Sequence, residues 1–368
     1  MKLIQDGKDA LLKPLQSVSG VVERRHTLPI LSNVLLERQD GKLRMTATDL
    51  EIQVSSSLPC GTSGDPASVT ISARKFHDIL RSLPDGTDVT LEAQANRVSL
   101  KAARSRFSLQ TLPPEDFPRM AEASAGGVSL TLPQGEFKRL LGLVQYAMAQ
   151  QDIRYYLNGL LLVVSGRQLK LVATDGHRLA YASQDLAEDA GSAEVILPRK
   201  AVIELFKLLG EDETPVSVLV GGNQVRFAVG EVVLLTKVVD GKFPDYTRVI
   251  PTNYTRSFTL ERTELQQALQ RAAILSNEKF RGVRWMITAG SLRVSCTNNE
   301  QEEANEELEI AYDKEALDIG FNVNYLLDVL SNVTGDAVTC SFGDASSSVL
   351  ITVAGYESFK YVIMPMRI

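Results

Sequence analysis

The sequence predicts an α+β protein made of three tandem copies of one module, each with two helices against antiparallel sheet. The first observation is a strand that ends in a polar turn and occurs three times, at Met45–Leu50, Val172–Leu179 and Val294–Asn299. Alternating apolar residues lead into each turn, and Asp or Asn follows Thr where the chain reverses. A unit that recurs about every 125 residues is too widely spaced for a solenoid and indicates a copied domain.

The second observation is the spacing of three anchors, which are the turn, the start of the second helix and a closing proline. The step from turn to helix is 25, 24 and 24 residues in the three copies, and the step from helix to proline is 44, 45 and 43. The anchors are Asp49, Arg74 and Pro118, then Asp175, Arg199 and Pro244, then Asn298, Asn322 and Pro365. This agreement predicts modules at 1–123, 124–253 and 254–368.

The first module is predicted to begin with a strand at Lys2–Gln5 and an amphipathic helix at Lys8–Val18. Leucines three and four residues apart give this helix one apolar face. Pro14 is tolerated only near the start of a helix, so the helix is expected to begin late, and Gly20 is expected to end it. The dipeptide Asp40-Gly41 predicts a hairpin between the next two strands.

The remaining elements of the module follow the same logic. Strands are predicted at Val34–Glu37, Leu43–Thr46, Glu51–Ser55 and Val69–Ile71. A second amphipathic helix, Arg74–Leu83, is stopped by Pro84, and three more strands run to Leu112. The later modules repeat this order, with opening strands at Val128–Leu132 and Ser257–Glu261, first helices from Glu136 and Arg262, and second helices from Arg199 and Asn322.

Composition limits the classes of function. The 368 residues include 39 Lys and Arg against 45 Asp and Glu, a mildly acidic balance that argues against binding nucleic acid over the whole surface but not against a local basic lining. Cys60, Cys296 and Cys340 are too few and scattered for a disulfide framework or metal site, which favours the cytoplasm. The N-terminus does not resemble a signal peptide, and no apolar run is long enough to span a membrane.

Several long strings in this sequence closely resemble the beta sliding clamp family of bacterial DNA polymerase III. The resemblance extends from residue 1 to residue 368. Its strings are Thr27–Leu31, Arg104–Leu109, Gln151–Gly159, Ala173–Leu179, Leu275–Gly282 and the terminus Tyr361–Ile368.

The resemblance implies the DNA clamp fold and a head-to-tail homodimer, a ring with helices inside and sheets outside. Twelve helices, each about 10 Å wide, would enclose a bore of about 28 Å, wide enough for duplex DNA. Such a ring holds DNA by topology and needs no strong phosphate contacts, which fits the acidic total. It needs no cofactor and is not an enzyme. A modest basic lining is expected from Lys13, Arg74, Lys75, Lys138, Arg139, Arg199, Lys200 and Arg271, although each could equally be a solvated helix face.

The family's DNA contacts correspond here to Arg25, Gln151, Tyr155 and Tyr156, together with Arg74, Lys75, Arg199 and Lys200 from the lining. Arginine meets phosphates, and tyrosine stacks on an exposed base. The alternative is that one tyrosine belongs to the core. Adjacent residues on a strand face opposite ways, so a strand here would not bury both.

The resemblance also implies a pocket between the second and third modules, in which polymerase, clamp loader and repair proteins dock a short motif ending in Leu and Phe. Methionines at the C-terminus suit such a pocket because they repack around varied guests, although they could instead cap a core. Ser346 departs from the aliphatic residue frequent in relatives. The matching residues are Leu157, Thr174, Gly176, His177, Arg178, Leu179, Pro244, Arg248, Val249, Phe280, Asn322, Tyr325, Ser346, Ser348, Val362, Met364, Pro365, Met366 and Arg367.

The seam of the ring is expected to join a basic edge of the first module to an acidic edge of the third, around an apolar centre. The alternative for the acidic run is a solvated loop. The basic side comprises Lys75, Arg104, Arg106, Phe107 and Leu109, and the acidic side comprises Ile274, Leu275, Glu300, Glu302 and Glu303.

The sequence offers two other classes of function. A hydrolase would use Asp175 and His177 as an acid–base pair beside a serine, but the first copy of this turn has Leu50 and no histidine, so a repeated structural turn is the simpler explanation. No phosphate-binding loop, GxGxxG or HExxH motif is present. A protein scaffold without DNA is the other alternative, which differs from a clamp in not being retained on circular DNA.

Overall fold

A computed structural model of the chain describes residues 1–23, 28–61, 65–121 and 126–367. These residues form two compact units, Met1–Lys138 with Ile203–Val238, and Arg139–Val202 with Val239–Ile368. Over the described ranges, every helix is too short or too polar to cross a membrane. The predicted α+β class and the threefold repeat of a two-helix module are confirmed.

The first module lies in the first unit and contains eight strands and two helices. In chain order they are β1 (Lys2–Gly7), α1 (Lys8–Ser19), β2 (Asn33–Gln39), β3 (Lys42–Thr48), β4 (Ile52–Pro59), β5 (Ala67–Ser72), α2 (Ala73–Ser82), β6 (Asp88–Gln94), β7 (Arg97–Ala102) and β8 (Ser105–Gln110). Helix α1 packs against α2 and against strands β3 and β4. The hairpin at Asp40-Gly41 is confirmed, with both residues at positive φ.

The expectation that α1 begins late is wrong. The helix starts at Lys8 and carries Pro14 in its interior. A proline there removes one backbone hydrogen bond of the helix. Pro14 is itself buried beside Leu11 and Leu15, which are fully buried. Tertiary packing of this face therefore outweighs the local preference.

The second module is divided between the two units, because its strands join two different sheets. Its elements are β9 (Val128–Pro133), α3 (Gln134–Val144), β10 (Gly159–Ser165), β11 (Gln168–Thr174), β12 (Arg178–Asp185), β13 (Ser192–Pro198), α4 (Arg199–Leu208), β14 (Pro215–Gly221), β15 (Gln224–Val229) and β16 (Val232–Lys237). Strands β9 and β14–β16 belong to the first unit, and β10–β13 belong to the second.

The third module lies in the second unit and has the same order of elements. They are β17 (Arg256–Glu261), α5 (Arg262–Ala273), β18 (Gly282–Thr288), β19 (Ser291–Thr297), β20 (Glu303–Glu309), β21 (Leu317–Asn322), α6 (Val323–Asn332), β22 (Ala337–Phe342), β23 (Val349–Val353) and β24 (Phe359–Ile363). Its core is aromatic: the ring of Trp285 lies 5.3 Å from that of Phe321, and both side chains are fully buried.

Each unit contains one sheet of eight strands and one of four. The eight-stranded orders are β5-β2-β3-β4-β16-β15-β14-β9 and β13-β10-β11-β12-β24-β23-β22-β17, and the four-stranded orders are β1-β6-β7-β8 and β20-β19-β18-β21. In both large sheets the fourth strand of one module pairs antiparallel with the eighth strand of the next, β4 with β16 and β12 with β24. Strands β8 and β20 remain at sheet edges.

We predict that Phe321→Ala lowers the free energy of unfolding by about 3–5 kcal/mol, because it leaves a cavity against Trp285. Urea titration followed by the fluorescence of Trp285, the single tryptophan of the chain, measures the change. The control is Phe280→Ala, where the side chain is 58% exposed and the expected change is within about 0.5 kcal/mol. Equal transitions for the two variants would contradict the packing described.

Candidate functional site

The second unit contains a cavity of about 450 Å³ beside the β12–β24 pairing. Its floor is apolar, because it rests on a buried cluster that includes Leu179, Phe243 and Val362. Apolar cavities with a few polar groups at the edge are typical of binding sites for small ligands and peptide side chains. The lining residues are Arg154, Tyr156, Leu157, Thr174, Gly176, His177, Arg178, Leu179, Phe243, Pro244, Tyr246, Arg248, Val249, Ser348, Val362 and Met364.

The turn between β11 and β12 forms one wall of the cavity. The Asp175 carboxylate accepts the backbone N–H groups of His177 (2.9 Å) and Arg178 (3.1 Å). The Thr174 hydroxyl accepts the N–H of Gly176 (3.1 Å) and donates to the carbonyl of Arg178 (2.5 Å). Gly176 has φ +89°, and a Cβ there would lie 3.0 Å from the Arg154 guanidinium. The turn therefore requires glycine for both its backbone and its space.

Arg178 is buried behind this wall, and its guanidinium is engaged on several sides. It donates to Asp175 (3.1 Å), to Asp328 on α6 and to the carbonyl of Tyr146 (2.7 Å). It also lies 4.5 Å from the ring centre of Tyr325. Burial alone lowers the pKa of Arg178, but its neighbours, Asp328 among them, outweigh burial and raise that pKa above the ordinary value. The side chain stays charged and ties the turn to α6.

The outer rim of the cavity is apolar and exposed. Met364 is 49% exposed and Val249 is 42% exposed. The C-terminal segment is held in place by two backbone bonds, from Met364 N–H to the His177 carbonyl and from Met366 N–H to the Gly320 carbonyl, each 2.9 Å. Large exposed apolar side chains around a cavity suit a surface that another molecule covers.

Most of the residues assigned to the pocket from the sequence line this cavity, and some do not. Those outside its lining are Phe280, Asn322, Tyr325, Ser346, Pro365, Met366 and Arg367. Tyr325 still stacks on His177, with ring centres 6.5 Å apart. The Ser346 hydroxyl donates a hydrogen bond to the Asp344 carboxylate (2.7 Å). The serine that departs from the family is therefore hydrogen-bonded within its own loop.

The sequence did not identify Arg154, Phe243 and Tyr246 as lining residues, and it assigned Tyr156 to DNA contact although Tyr156 also lines the cavity. Arg154 lies in the string that carries the DNA-contact candidates, and both aromatics flank the closing proline Pro244. Aromatic residues next to a repeated proline were a usable signal, because that proline ends the module where the cavity lies.

The DNA-contact candidates on the second module lie in one loop. The expected strand at Tyr155 and Tyr156 is wrong, since Tyr155–Leu157 is a 3-10 turn. Tyr155 is 56% exposed, whereas Tyr156 packs partly buried against the floor cluster of the cavity. Gln151 is exposed and has φ +55°. The loop thus presents one exposed tyrosine, Tyr155, whose ring lies 5.9 Å from that of Tyr156, and one that lines the cavity.

The basic candidates differ in how exposed they are. Arg25 lies outside the described residues. Arg74 and Lys75 are exposed in the first turn of α2. Arg199 is half-buried and donates to the Met148 carbonyl (3.0 Å), while burial lowers its pKa below the ordinary value. Lys200, beside it on α4, is also half-buried. Arg74 lies 3.7 Å from the Asp78 carboxylate on the same helix, and both side chains are exposed. The α2 pair is better placed than Arg199 and Lys200 to meet a phosphate because it is the more exposed.

Other lining candidates already have partners on their own surface. Lys138 contacts the Glu211 carboxylate at 3.4 Å and the Phe206 ring at 5.5 Å. Arg139 donates to the Gln184 side chain at 3.2 Å, and Arg271 pairs with Glu306 at 2.5 Å. Lys13 is exposed on α1.

The seam candidates lie on or beside the two edge strands, except Lys75, which is exposed on α2. Arg106, Phe107 and Leu109 are on β8, with Arg104 in the preceding turn. Glu303 begins β20, with Glu300 and Glu302 just before it, and these acidic side chains are exposed. Ile274, at the end of α5, is 78% exposed, and Leu275 beside it is half-buried.

The three modules, their shared sheets and a cavity at one module junction define the class of protein as a DNA clamp. Family models for the DNA polymerase III beta subunit match all three parts: the N-terminal domain at residues 1–121, the central domain at 131–245 and the C-terminal domain at 247–367. The chain belongs to the beta sliding clamp family, the beta subunit of DNA polymerase III. It is a DNA sliding clamp, a non-catalytic processivity factor whose partners are DNA and the polymerase.

Individual relatives match over nearly the whole chain. The beta sliding clamp of Pseudomonas putida is 46% identical over 362 residues, and that of Escherichia coli K12 is 45% identical over 361, each covering 98% of both chains. A solved sliding clamp from Pseudomonas aeruginosa superposes with a TM-score of 0.96 at 43% identity, covering 100% of both chains.

The loop beside the cavity gives a prediction about pH. The side chain of Arg154 donates to Asp152, as does its backbone N–H, and together they lower the pKa of that carboxyl from 3.8 to about 2. A depressed carboxyl pKa stabilises the folded loop at pH values above 3.8, and this contribution disappears as the pH falls through about 2. We predict that Arg154→Ala raises the pKa of Asp152 part of the way back to 3.8, because the backbone donor remains.

Carbon-13 NMR of the carboxyl groups measures this change. Asp344, whose pKa is also lowered to about 2 by the hydroxyls of Ser346 and Ser347, is the internal control and should not move. An unchanged midpoint for Asp152 would show that the Arg154 side chain does not hold that carboxylate.

Proposed function

We propose that two copies of this chain close into a head-to-tail ring around duplex DNA, and that partner proteins dock a short peptide ending in Leu and Phe in the cavity beside β12 and β24. The observation that supports docking most directly is the apolar cavity itself, with its buried floor and exposed methionine rim. We propose that such peptides belong to polymerase, clamp loader and repair proteins. The protein is proposed to act in the cytoplasm. The module limits 1–123, 124–253 and 254–368 remain part of this proposal.

The chemistry of the cavity fits a Leu–Phe pair. An apolar side chain that leaves water for this floor gains about 1.5–3 kcal/mol, and two neighbouring side chains are enough for a weak, reversible complex. Met364 can repack around guests of different shape because its side chain is unbranched. The rim also carries His177 and Arg248, which offer polar contacts to the peptide backbone.

The dimer proposal rests on a rule that the two large sheets obey. The fourth strand of a module pairs with the eighth strand of the following module, as β4 does with β16 and β12 with β24. Among the described residues, β20 is a fourth strand that pairs only with β19, and β8 is an eighth strand that pairs only with β7. A second chain supplies each missing partner, so two identical β8–β20 seams complete a ring by C2 symmetry.

The charges of the two edges agree with that pairing. Strand β20 has the sequence Glu-Ala-Asn-Glu-Glu-Leu-Glu, and β8 has the sequence Ser-Arg-Phe-Ser-Leu-Gln. Opposite charges on facing edges favour the correct pairing, and the acidic edge repels a second acidic edge. DNA contact by Tyr155, Gln151 and the basic α2 pair adds a non-specific component to retention by encirclement.

For the pocket, we predict that Met364→Asp weakens binding of a Leu–Phe peptide at least tenfold, which corresponds to about 1.4 kcal/mol, because it places a charge on the apolar rim. Isothermal titration calorimetry measures the Kd. Leu112→Asp is the matched control, since Leu112 is 36% exposed in the first module and should leave the Kd unchanged. Wild-type protein that ignores the peptide would refute docking in this cavity.

For the ring, we predict that Arg104→Glu combined with Arg106→Glu converts the dimer to monomer, because acidic side chains would then face each other across the β8–β20 seam. Light scattering measures the mass. After treatment with a clamp loader, wild-type protein should stay on nicked circular DNA and leave it on linearisation, and the variant should stay on neither.

A rescue variant carries Glu300→Lys and Glu303→Lys in addition to the two arginine changes. It should restore part of the dimer population, because opposite charges then face each other again. A charge-reversed variant that remains dimeric would count against the β8–β20 seam. Wild-type dimer that binds the peptide but is never retained on circular DNA would favour a scaffold without DNA.

A further inference from the structure

The chain builds the turn of the docking cavity twice, with nearly the same geometry. In the first module, the Thr48 hydroxyl accepts the N–H of Leu50 at 3.1 Å, as the Thr174 hydroxyl accepts that of Gly176. The Asp49 carboxylate accepts two backbone N–H groups, as Asp175 does. Leu50 has φ +79° and Gly176 has φ +89°. The two turns are therefore equivalent, and they differ in the residue at the left-handed position.

Strand register extends the equivalence to the surroundings. Gln53 pairs with Thr48 across β3–β4 and with Leu235 across β4–β16. Leu179 pairs with Thr174 across β11–β12 and with Val362 across β12–β24. The first unit has a cavity at this place, lined by residues that include Gln53 and Leu235, but its volume is only about 140 Å³. It coincides with part of the 450 Å³ cavity of the second unit, because Gln53, Leu235 and Met120 are the equivalents of Leu179, Val362 and Tyr246, which line that cavity.

In the first unit a side chain lies where the second unit has open space beside Gly176. The Leu50 side chain packs against a cluster that contains Ile30, Leu35 and Phe117, whereas Gly176 has no side chain to place in its own cavity. A leucine at φ +79° is strained, because its Cβ crowds the backbone in this conformation. Glycine would adopt the same turn without that strain. The leucine at this position therefore indicates that its side chain has a packing role, which is to fill space against the cluster.

A polar link closes the other side. The Gln53 side-chain oxygen accepts the backbone N–H of Met120 at 2.9 Å and holds Met120 over the cavity. At the equivalent position, Leu179 has no oxygen to offer and forms part of an open apolar floor. The ion pair between Arg119 and Glu37, at 2.8 Å, lies beside the same closing segment.

We propose that the small cavity beside β4 and β16 is the part left open of a closed copy of the peptide pocket, in which Leu50 is the plug and Gln53 the latch. These two residues restrict each chain to one docking site. This inference rests on the proposed docking of a Leu–Phe peptide beside β12 and β24. One peptide site per chain matters for a clamp because the number of partners held at once follows from the number of open pockets.

The test is a count of peptide sites per chain by isothermal titration calorimetry. The variant Leu50→Gly with Gln53→Leu gives the first module the residues of the second at both positions. Wild-type protein should bind one peptide per chain, and this variant should bind two, the second more weakly. If this variant keeps its first site but still binds only one peptide per chain, the proposal that Leu50 closes a second pocket is wrong.

A reciprocal pair of variants tests the same idea without opening a cavity. Gly176→Leu places the plug in the open pocket, and Gly176→Ala introduces similar backbone strain with little filling. The leucine variant should lose peptide binding at least tenfold more than the alanine variant, with both still dimeric by light scattering. Equal losses would mean that strain and not filling closes the pocket, which overturns the inference. Failure of wild-type protein to bind any peptide would instead refute the proposed docking function.

Discussion

Backbone pairing between modules is the interaction on which the rest of this structure depends. Strands β4 and β12 are each the last strand of a four-stranded half-sheet, and each pairs with the eighth strand of the next module. This pairing joins two four-stranded halves into one eight-stranded sheet. A sheet edge presents unpaired N–H and C=O groups, so a free fourth strand favours a partner. This constraint sets the module junctions, and each junction brings the end of one turn close to the last strand of the next module.

The docking cavity follows from such a junction together with a small polar network. The Asp175 carboxylate fixes the turn by accepting the backbone N–H groups of His177 and Arg178, and Arg178 ties that turn to α6 through Asp328. The Arg178 and Asp175 side chains are only 9% and 16% exposed, so this network holds the wall of the cavity in place, while the rim at Met364 is exposed and adaptable. A fixed wall and an adaptable rim would let the proposed peptide pocket accept several peptides with the same anchors.

Some local predictions failed, and the failures share a cause. Pro14 predicted a late helix start, yet α1 includes it, because burial of the helix face outweighs one lost hydrogen bond. The pair Tyr155 and Tyr156 suggested a strand, yet it forms a 3-10 turn beside the cavity. In both places, contacts distant in sequence decide the backbone. The missed lining residues Phe243 and Tyr246 likewise reach the cavity through folding and not through any motif.

The sequence alone determined the threefold repeat, the helices and most strands, because hydrophobic period and turn residues are local properties. It also carried the family, through strings spread over the whole chain. Only the tertiary structure decided which repeat has an open pocket. Leu50 and Gly176 occupy the same position of the same turn, and their difference has a meaning only once a second strand and a core cluster surround them. The volume of a side chain has an effect only through the residues packed around it, and folding brings those residues together.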